Sequence, residues 1–285
     1  MDSKRDTMLA YAAGLFDGEG CIIIQRTQGN TFSLHVRVTT TDLVIAKWLN
    51  EKFGGCLGIQ PANKHVKNCR PCWYWNIQSK AASLFLVRIA PFLVIKKAQA
   101  DLAIEFQSRI GVRGVNRLTP EEITTRETYK RRLVELKLGC SAETTTGLFD
   151  PPYVAGLLDG EGTILIYRVK DYYQLSVRIT NTDLKVLESL KNLFGGDIGS
   201  KCEKVSKRTR PCWTWQIQGP KSAELLIELY PYMLVKREQA RLALEFQTHK
   251  QLLMREGAPK EVRVRLGEDY KEKISKENRR VKTTV

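Results

Sequence analysis

The chain is written twice. Residues 11–20 read YAAGLFDGEG and residues 153–162 read YVAGLLDGEG. Four further pairs follow in the same order: VTTTDL (38–43) with ITNTDL (179–184), KFGG (52–55) with LFGG (193–196), RPCWYWNIQ (70–78) with RPCWTWQIQ (210–218), and PFLVIKKAQADLAIEFQ (91–107) with PYMLVKREQARLALEFQ (231–247). The period is about 140 residues, too long for a solenoid unit. It means two copies of a whole subdomain in one polypeptide, the covalent counterpart of a two-fold dimer. A weaker echo sets Pro120, Glu122, Ile123 and Tyr129 against Pro259, Glu261, Val262 and Tyr270. With it, repeat one with its helical extension spans 1–140, a linker covers 141–150, and repeat two with a basic tail spans 151–285.

Charge narrows the partner. The 285 residues carry 46 Lys+Arg against 31 Asp+Glu, a net charge of +15. Solubility rarely needs such an excess, and it points to a polyanion, either nucleic acid or an acidic membrane surface. No apolar run approaches the roughly 20 residues of a membrane span, and MDSKRDTMLA at the start lacks the apolar core of a secretory signal. Seven cysteines, an odd and irregular set, suit reduced thiols in an intracellular protein better than a disulfide framework. The three histidines His35, His65 and His249 are too few for a His-rich zinc site. Cys69-Arg70-Pro71-Cys72 is a lone CxxC whose echo begins with Thr209, so the four ligands zinc needs are absent.

Each repeat reads as αββαββα. Asp150 followed by Pro151-Pro152 is a helix start, and Asp6-Thr7 takes that place in repeat one. CIIIQR (21–26) and TILIYR (163–168) read as strands. Residues 33–38 and 174–179 alternate polar and apolar, as half-buried antiparallel strands do. Asp42 and Asp183 are N-caps for helices at 43–53 and 184–194, each stopped by Gly-Gly. Two more strands follow, the second holding the paired tryptophans Trp73, Trp75, Trp213 and Trp215, which are expected to pack beneath the sheet. Helices at 79–89 and 91–109, and at 220–229 and 231–250, close the units. The fold class is therefore α+β, two pseudo-symmetric four-stranded antiparallel sheets with helices on one face. The basic run at 271–282 reads as an exposed helix or frayed tail.

Two features of the duplicated motif ask for an explanation. Gly14 and Gly18, like Gly156 and Gly160, lie four apart on a helix, where each glycine costs about 1 kcal/mol relative to alanine. Close helix–helix packing compensates. Glu19 and Glu161 then end their helices, the wrong end for an anion in the helix dipole. Two carboxylates related by a two-fold axis also repel, and such a pair suits a divalent cation.

Residues 12–20 and 154–162 resemble two copies of the LAGLIDADG motif of homing endonucleases, and the element order resembles that of the single-chain, two-repeat members. The resemblance runs from about residue 8 to 250. It implies two saddle-shaped sheets straddling double-stranded DNA, with hydrolysis of two phosphodiesters across the minor groove. Its metal ligands map onto Glu19 and Glu161, assisted by the carbonyls of Gly18 and Gly160. The family more often has Asp at that place, and Glu is a longer arm with the same oxygen chemistry. Asp17 and Asp159 read as structural. The lysine of the last strand-to-helix turn maps onto Lys96 and Lys236, as stabilisers of developing phosphorane charge. A polar, water-positioning residue after the second strand maps onto Thr40 and Asn181, which differ between the repeats. Magnesium is the expected cofactor, with manganese substituting and calcium binding without supporting cleavage.

The alternation assigns the DNA-reading face. With Val36 and Val38 inward, Ser33, His35 and Arg37 point outward, as do Gln174, Ser176 and Arg178, joined by Gln25, Thr27 and Tyr167 from the first strands. Arg suits guanine and Gln suits adenine. The two faces differ in composition, so a monomer on a long, asymmetric site is expected. The alternatives are an intron-splicing maturase that binds RNA and a catalytically inactive DNA-binding protein, the latter disfavoured by the presence of both glutamates. An intracellular location is expected, in an organelle or a prokaryotic cytoplasm.

Overall fold

The computed structural model describes residues 3–27, 31–62, 71–110, 118–139, 149–202 and 211–280. The chain divides into two units, Met1–Leu148 and Phe149–Val285.

The first unit runs α1 (Ser3–Glu19), β1 (Gly20–Arg26), β2 (Phe32–Thr40), α2 (Leu43–Phe53), β3 (Cys56–Gln60), β4 (Cys72–Gln78), α3 (Ser79–Ile89), α4 (Lys97–Arg109) and α5 (Pro120–Leu138). Its strands form one antiparallel sheet in the order β1-β2-β4-β3. The second unit repeats the plan: α6 (Pro151–Glu161), β5 (Gly162–Val169), β6 (Tyr172–Asn181), α7 (Leu184–Phe194), β7 (Asp197–Cys202), β8 (Cys212–Gln218), α8 (Pro220–Leu229), α9 (Arg237–Arg255) and α10 (Lys260–Arg280). Its sheet order is β5-β6-β8-β7.

Period-two patterning sets the sheet. Along β2, burial alternates strictly from Phe32 to Thr40, so Leu34, Val36 and Val38 enter the core and Ser33, His35 and Arg37 face away. The β2–β4 register brings Val38 beside Trp75 and Arg37 beside Asn76. Trp75 and Trp215 are fully buried on the helix side. Their indole N–H groups donate to the carbonyls of Gly54 at 2.6 Å and Gly195 at 2.8 Å. Those glycines end α2 and α7 with φ of 69° and 76°, a left-handed turn that strains any residue with a Cβ. Each tryptophan thus fastens the inner strand to the helix above it. The expected caps are present: the carboxylates of Asp42 and Asp183 accept from the N–H groups of Val44 at 2.8 Å and Lys185 at 3.0 Å.

Helix and strand join with no connecting residue at the motif, since α1 ends at Glu19 and β1 begins at Gly20. A Cβ on Gly20 would collide with the side chain and carbonyl of Phe16, and one on Gly162 with Leu158. The last glycine of each motif is what permits the chain to turn directly into the sheet.

Three sequence expectations need correction. Asp6 does not cap α1, which already begins at Ser3. Pro91 does not open a long helix. It sits in a 3-10 turn, Ala90–Phe92, and α4 starts only at Lys97, because the intervening backbone donates its N–H groups to Asp17 instead (below). Helix α9 likewise starts at Arg237. The tail after 270 is not simply exposed, because α10 buries Tyr270 and Ile274.

The weak C-terminal echo is structural. Tyr129 of α5 packs on Phe106 at 5.7 Å between ring centroids, and Tyr270 of α10 on Phe246 at 5.9 Å. Of the expected linker, Phe149 and Asp150 are described. Phe149 packs against Tyr153 and the Asp150 carboxylate caps α6 at the N–H of Tyr153.

Candidate active site and nucleic-acid face

The two acids of each motif have separate tasks. Asp17 is buried, and its carboxylate accepts from the backbone N–H groups of Val94, Ile95 and Lys96 at 2.8, 2.9 and 2.9 Å. Asp159 does the same for Leu234, Val235 and Lys236 at 2.7, 3.1 and 2.9 Å. Three backbone donors on one carboxylate are charge-assisted hydrogen bonds, stronger than neutral ones. The acid clamps the approach to α4 or α9 onto the end of the motif helix, which is the structural role the sequence suggested for it.

The clamp places the lysine. The ammonium of Lys96 donates to the carbonyl of Asp17, and that of Lys236 to the carbonyl of Asp159. A cation here meets the negative end of the helix dipole. In each unit it sits two residues before the motif glutamate.

Glu19 and Glu161 terminate α1 and α6 and are partly exposed. No further residue of either helix reaches back to bond the carbonyls of Gly18 and Gly160. In repeat two, Asn181 at the end of β6 donates its amide to Oε2 of Glu161 at 2.8 Å, while its own oxygen accepts from the N–H of Asp183 at 2.8 Å. Thr40 takes the matching place in repeat one and accepts from the N–H of Asp42 at 3.0 Å. The described bonds of Thr40 and Asn181, the residues expected to position water, run to protein groups, and Asn181 holds a carboxylate. The donor set fits a hard divalent cation: a carboxylate held by a neutral amide, helix-end carbonyls, and no thiolate or imidazole. Among the described residues no cluster of three or more His, Cys, Asp or Glu could hold a metal unaided, so any such ion is completed by other oxygens.

The open faces carry most of the expected reading residues. In unit one the Ser33 hydroxyl bonds Nε2 of His35 at 2.8 Å. Burial lowers the His35 pKa from its ordinary 6.5; the neighbouring Asn76 amide opposes this and the Arg37 charge adds to it. The Arg37 guanidinium stacks 4.9 Å from the Tyr74 ring centroid, and Arg178 lies 5.3 Å from Tyr167. An aromatic shelf holds each guanidinium flat for planar recognition. Nε of both arginines and Oδ1 of Asn76 are buried with no hydrogen-bond partner in the described structure. Gln25 is exposed and Gln174 half-buried.

Two residues depart from expectation. Ser176 has the right parity but is fully buried, and its hydroxyl has no partner; it lies between Leu165 and Gln218 in the register, whose longer side chains overtop it. Thr27 lies beyond β1 and closes the hairpin, with its N–H on the carbonyl of Thr31 at 2.9 Å. The faces are not wholly polar either, since Ile23 and Leu165 lie on them. The inner strands supply what the sequence reading missed: Tyr74, Asn76 and Gln78 in unit one, Thr214, Gln216 and Gln218 in unit two. A depression of about 380 Å³ in unit two is lined by Thr163, Arg178, Thr180, Thr214 and Gln216. The signal was present, because CWYWNIQ alternates with its tryptophans inward, leaving the residues between them outward.

Cys72 and Cys212 are described and half-buried, whereas His65, Cys69 and Thr209 lie outside the described residues. No described helix is long and apolar enough to cross a membrane.

Both units share one plan: a four-stranded sheet, a motif helix ending in an acid, and a lysine held at that helix end. Residues 154–248 match the family described as LAGLIDADG endonuclease. Solved structures with the same fold span nearly the whole chain. One is the LAGLIDADG meganuclease I-AabMI bound to uncleaved DNA, with 18% identity, TM-score 0.70, and coverage of 93% of this chain and 98% of that one. A second is the LAGLIDADG homing endonuclease I-GzeII in complex with its DNA target, with 16% identity, TM-score 0.62 and 97% of each chain covered. A third is I-SmaMI on an uncleaved DNA target in the presence of calcium ions, with 18% identity, TM-score 0.56, and coverage of 96% and 97%.

Proposed function

We propose that this protein is a site-specific, double-strand DNA endonuclease in which Glu19 and Glu161 supply the carboxylates for divalent metal. The observation that carries this reading is the Asn181–Glu161 hydrogen bond. It spends a buried neutral amide on fixing the direction of a carboxylate at the unfavourable end of a helix dipole, which folding alone does not require. The match of residues 154–248 to an endonuclease family, and the DNA complexes of the proteins that share the fold, support the same conclusion.

Magnesium would supply a water acidic enough to attack phosphorus and charge to neutralise the leaving oxygen. The chain's own contribution is positioning. Asp17 and Asp159 rigidify the turn that carries Lys96 and Lys236. These lysines hold a positive charge beside the glutamates, where negative charge on a phosphodiester grows during displacement. Glu19, Glu161 and the carbonyls of Gly18 and Gly160 offer oxygen ligands. The sheet faces set the register on the duplex. Arg37 and Arg178 match between repeats, whereas Gln25 faces Tyr167, Tyr74 faces Thr214 and Asn76 faces Gln216 in the repeat alignment, which favours an asymmetric target read by a single chain.

The experiment is cleavage of a randomised duplex library by the full chain, first with magnesium and then with calcium. Cutting at one extended, asymmetric site with magnesium, and binding without cutting with calcium, is the expected result. Absence of cutting with magnesium or manganese would overturn the reading.

A further inference from the structure

We infer that unit two carries a second nucleic-acid site, a pocket at the β5–β6 hairpin that takes one unpaired nucleotide of a strand, with its base on Tyr172 and its phosphate on Lys250 and Arg263. The pocket lies at the far end of β5 from Glu161. Eight strand residues put roughly 25 Å between the two, so it is separate from the metal-binding glutamate. It does not depend on the proposed cutting activity.

The cavity holds about 680 Å³ between the hairpin, α9 and the start of α10, within the range of small-ligand pockets. Its walls combine aromatic rings with cations. The Lys250 ammonium lies 5.5 Å from the Tyr172 ring centroid and 5.9 Å from that of Phe246, and donates to the carbonyl of Tyr173 at 2.8 Å. Tyr172 is 49% exposed, which leaves ring surface for a second planar group. Lys260 is matched by Asp171 at 2.8 Å, but among the described residues neither Lys250 nor Arg263 has a carboxylate partner. Burial also holds the Lys250 pKa below its ordinary value of 10.5, as expected of a desolvated cation without an anion.

The lining asks for more than an anion, because an exposed ring stands beside the cations. A planar group with an attached phosphate answers both features. A nucleobase carried on its phosphate has that chemistry, and bases stack on aromatic rings only when unpaired. The pocket is not a requirement of the fold. In the repeat alignment Lys250 corresponds to Ile110 and Tyr172 to Thr31, so repeat one has neither the cation nor the ring.

The test is calorimetric titration of the full chain with a single-stranded trinucleotide of adenosine, with adenosine monophosphate and with inorganic phosphate. The trinucleotide should bind best and inorganic phosphate worst. Tyr172→Leu and Lys250→Met should each weaken the trinucleotide about 10-fold or more, while duplex affinity stays within about two-fold. Arg263→Gln, at an exposed position that folding does not need, should weaken it in the same direction. Unchanged trinucleotide binding in these variants would place the strand elsewhere and overturn the inference. So would phosphate binding as tightly as the trinucleotide, which would remove the base, or the mononucleotide doing so, which would remove the strand. Glu161→Gln should leave this binding untouched, so failure here is separable from failure of the nuclease reading.

Discussion

The amide of Asn181 donates to Oε2 of Glu161 at 2.8 Å, whereas Thr40, at the matching place in repeat one, accepts from the N–H of Asp42 at 3.0 Å. Both residues accept from the N–H two positions on, which fixes the start of the next helix. Asparagine divides the two tasks between its oxygen and its amide nitrogen, whereas the described bond of the Thr40 hydroxyl is the one it accepts from Asp42.

Asn181→Leu keeps the volume and removes that amide. Cutting should fall about 10- to 100-fold, as for other groups that orient a metal ligand, with duplex affinity unchanged. The check is cleavage rate and duplex binding measured on the same preparation. A variant that cuts at the parent rate would show that the hydrogen bond orients nothing of consequence.

Asp17 is the clamp for three backbone donors, so Asp17→Ala strands Val94, Ile95 and Lys96 with unbonded N–H groups. The expected loss is about 2–4 kcal/mol of unfolding free energy, and Asp159→Ala should cost a similar amount. Urea unfolding measures it. A loss under about 1 kcal/mol would mean that water replaces the carboxylate at little cost.

Gly162→Ala puts a methyl group into the side chain and carbonyl of Leu158, where helix and strand join without a spacer. Overpacking of this kind costs about 1–3 kcal/mol. Gly199→Ala, whose Cβ would meet nothing within 4 Å, is the matched control and should lose far less on thermal unfolding.

The His35 imidazole is held below its ordinary pKa, mainly by burial. The unfolded chain therefore binds the proton more readily, and acid favours unfolding. Stability should fall as pH drops through about 6.5 toward the folded-state value, and not change through this group above it. His35→Gln should flatten that part of the profile in urea unfolding between about pH 7.5 and about pH 5.5. An equal acid sensitivity in the variant would assign the effect to other groups.

The duplicated fold was legible because period-two alternation, Asp N-caps and Gly-Gly stops are local signals, and each occurs twice. The helix starts after Pro91 and Pro231 were misread for a non-local reason: the backbone there bonds Asp17 or Asp159, more than seventy residues away in sequence. A proline followed by apolar residues looks the same whether it opens a helix or a clamped turn. Ser176 was assigned to the open face correctly by parity and wrongly by exposure, because parity does not report the length of the neighbouring side chains. Tyr74, Asn76 and their partners were missed although the alternation showed them, since the tryptophans drew the strand inward. The helix-end positions of Glu19 and Glu161 were legible from the motif and its duplication, but the Asn181–Glu161 bond was not, because it joins elements whose approach only the sheet determines.

Under the proposed function, Glu19 and Glu161 are the metal-binding carboxylates of a nuclease. The direct measurement is magnesium-dependent cutting and duplex binding by Glu161→Gln and by Glu19→Gln, each in the full chain on the parent's own target. The substitution removes one charged ligand and almost no volume, so each variant should bind the duplex as the parent does and produce no double-strand breaks above the level seen without metal. Cutting at the parent rate by either variant would contradict the account.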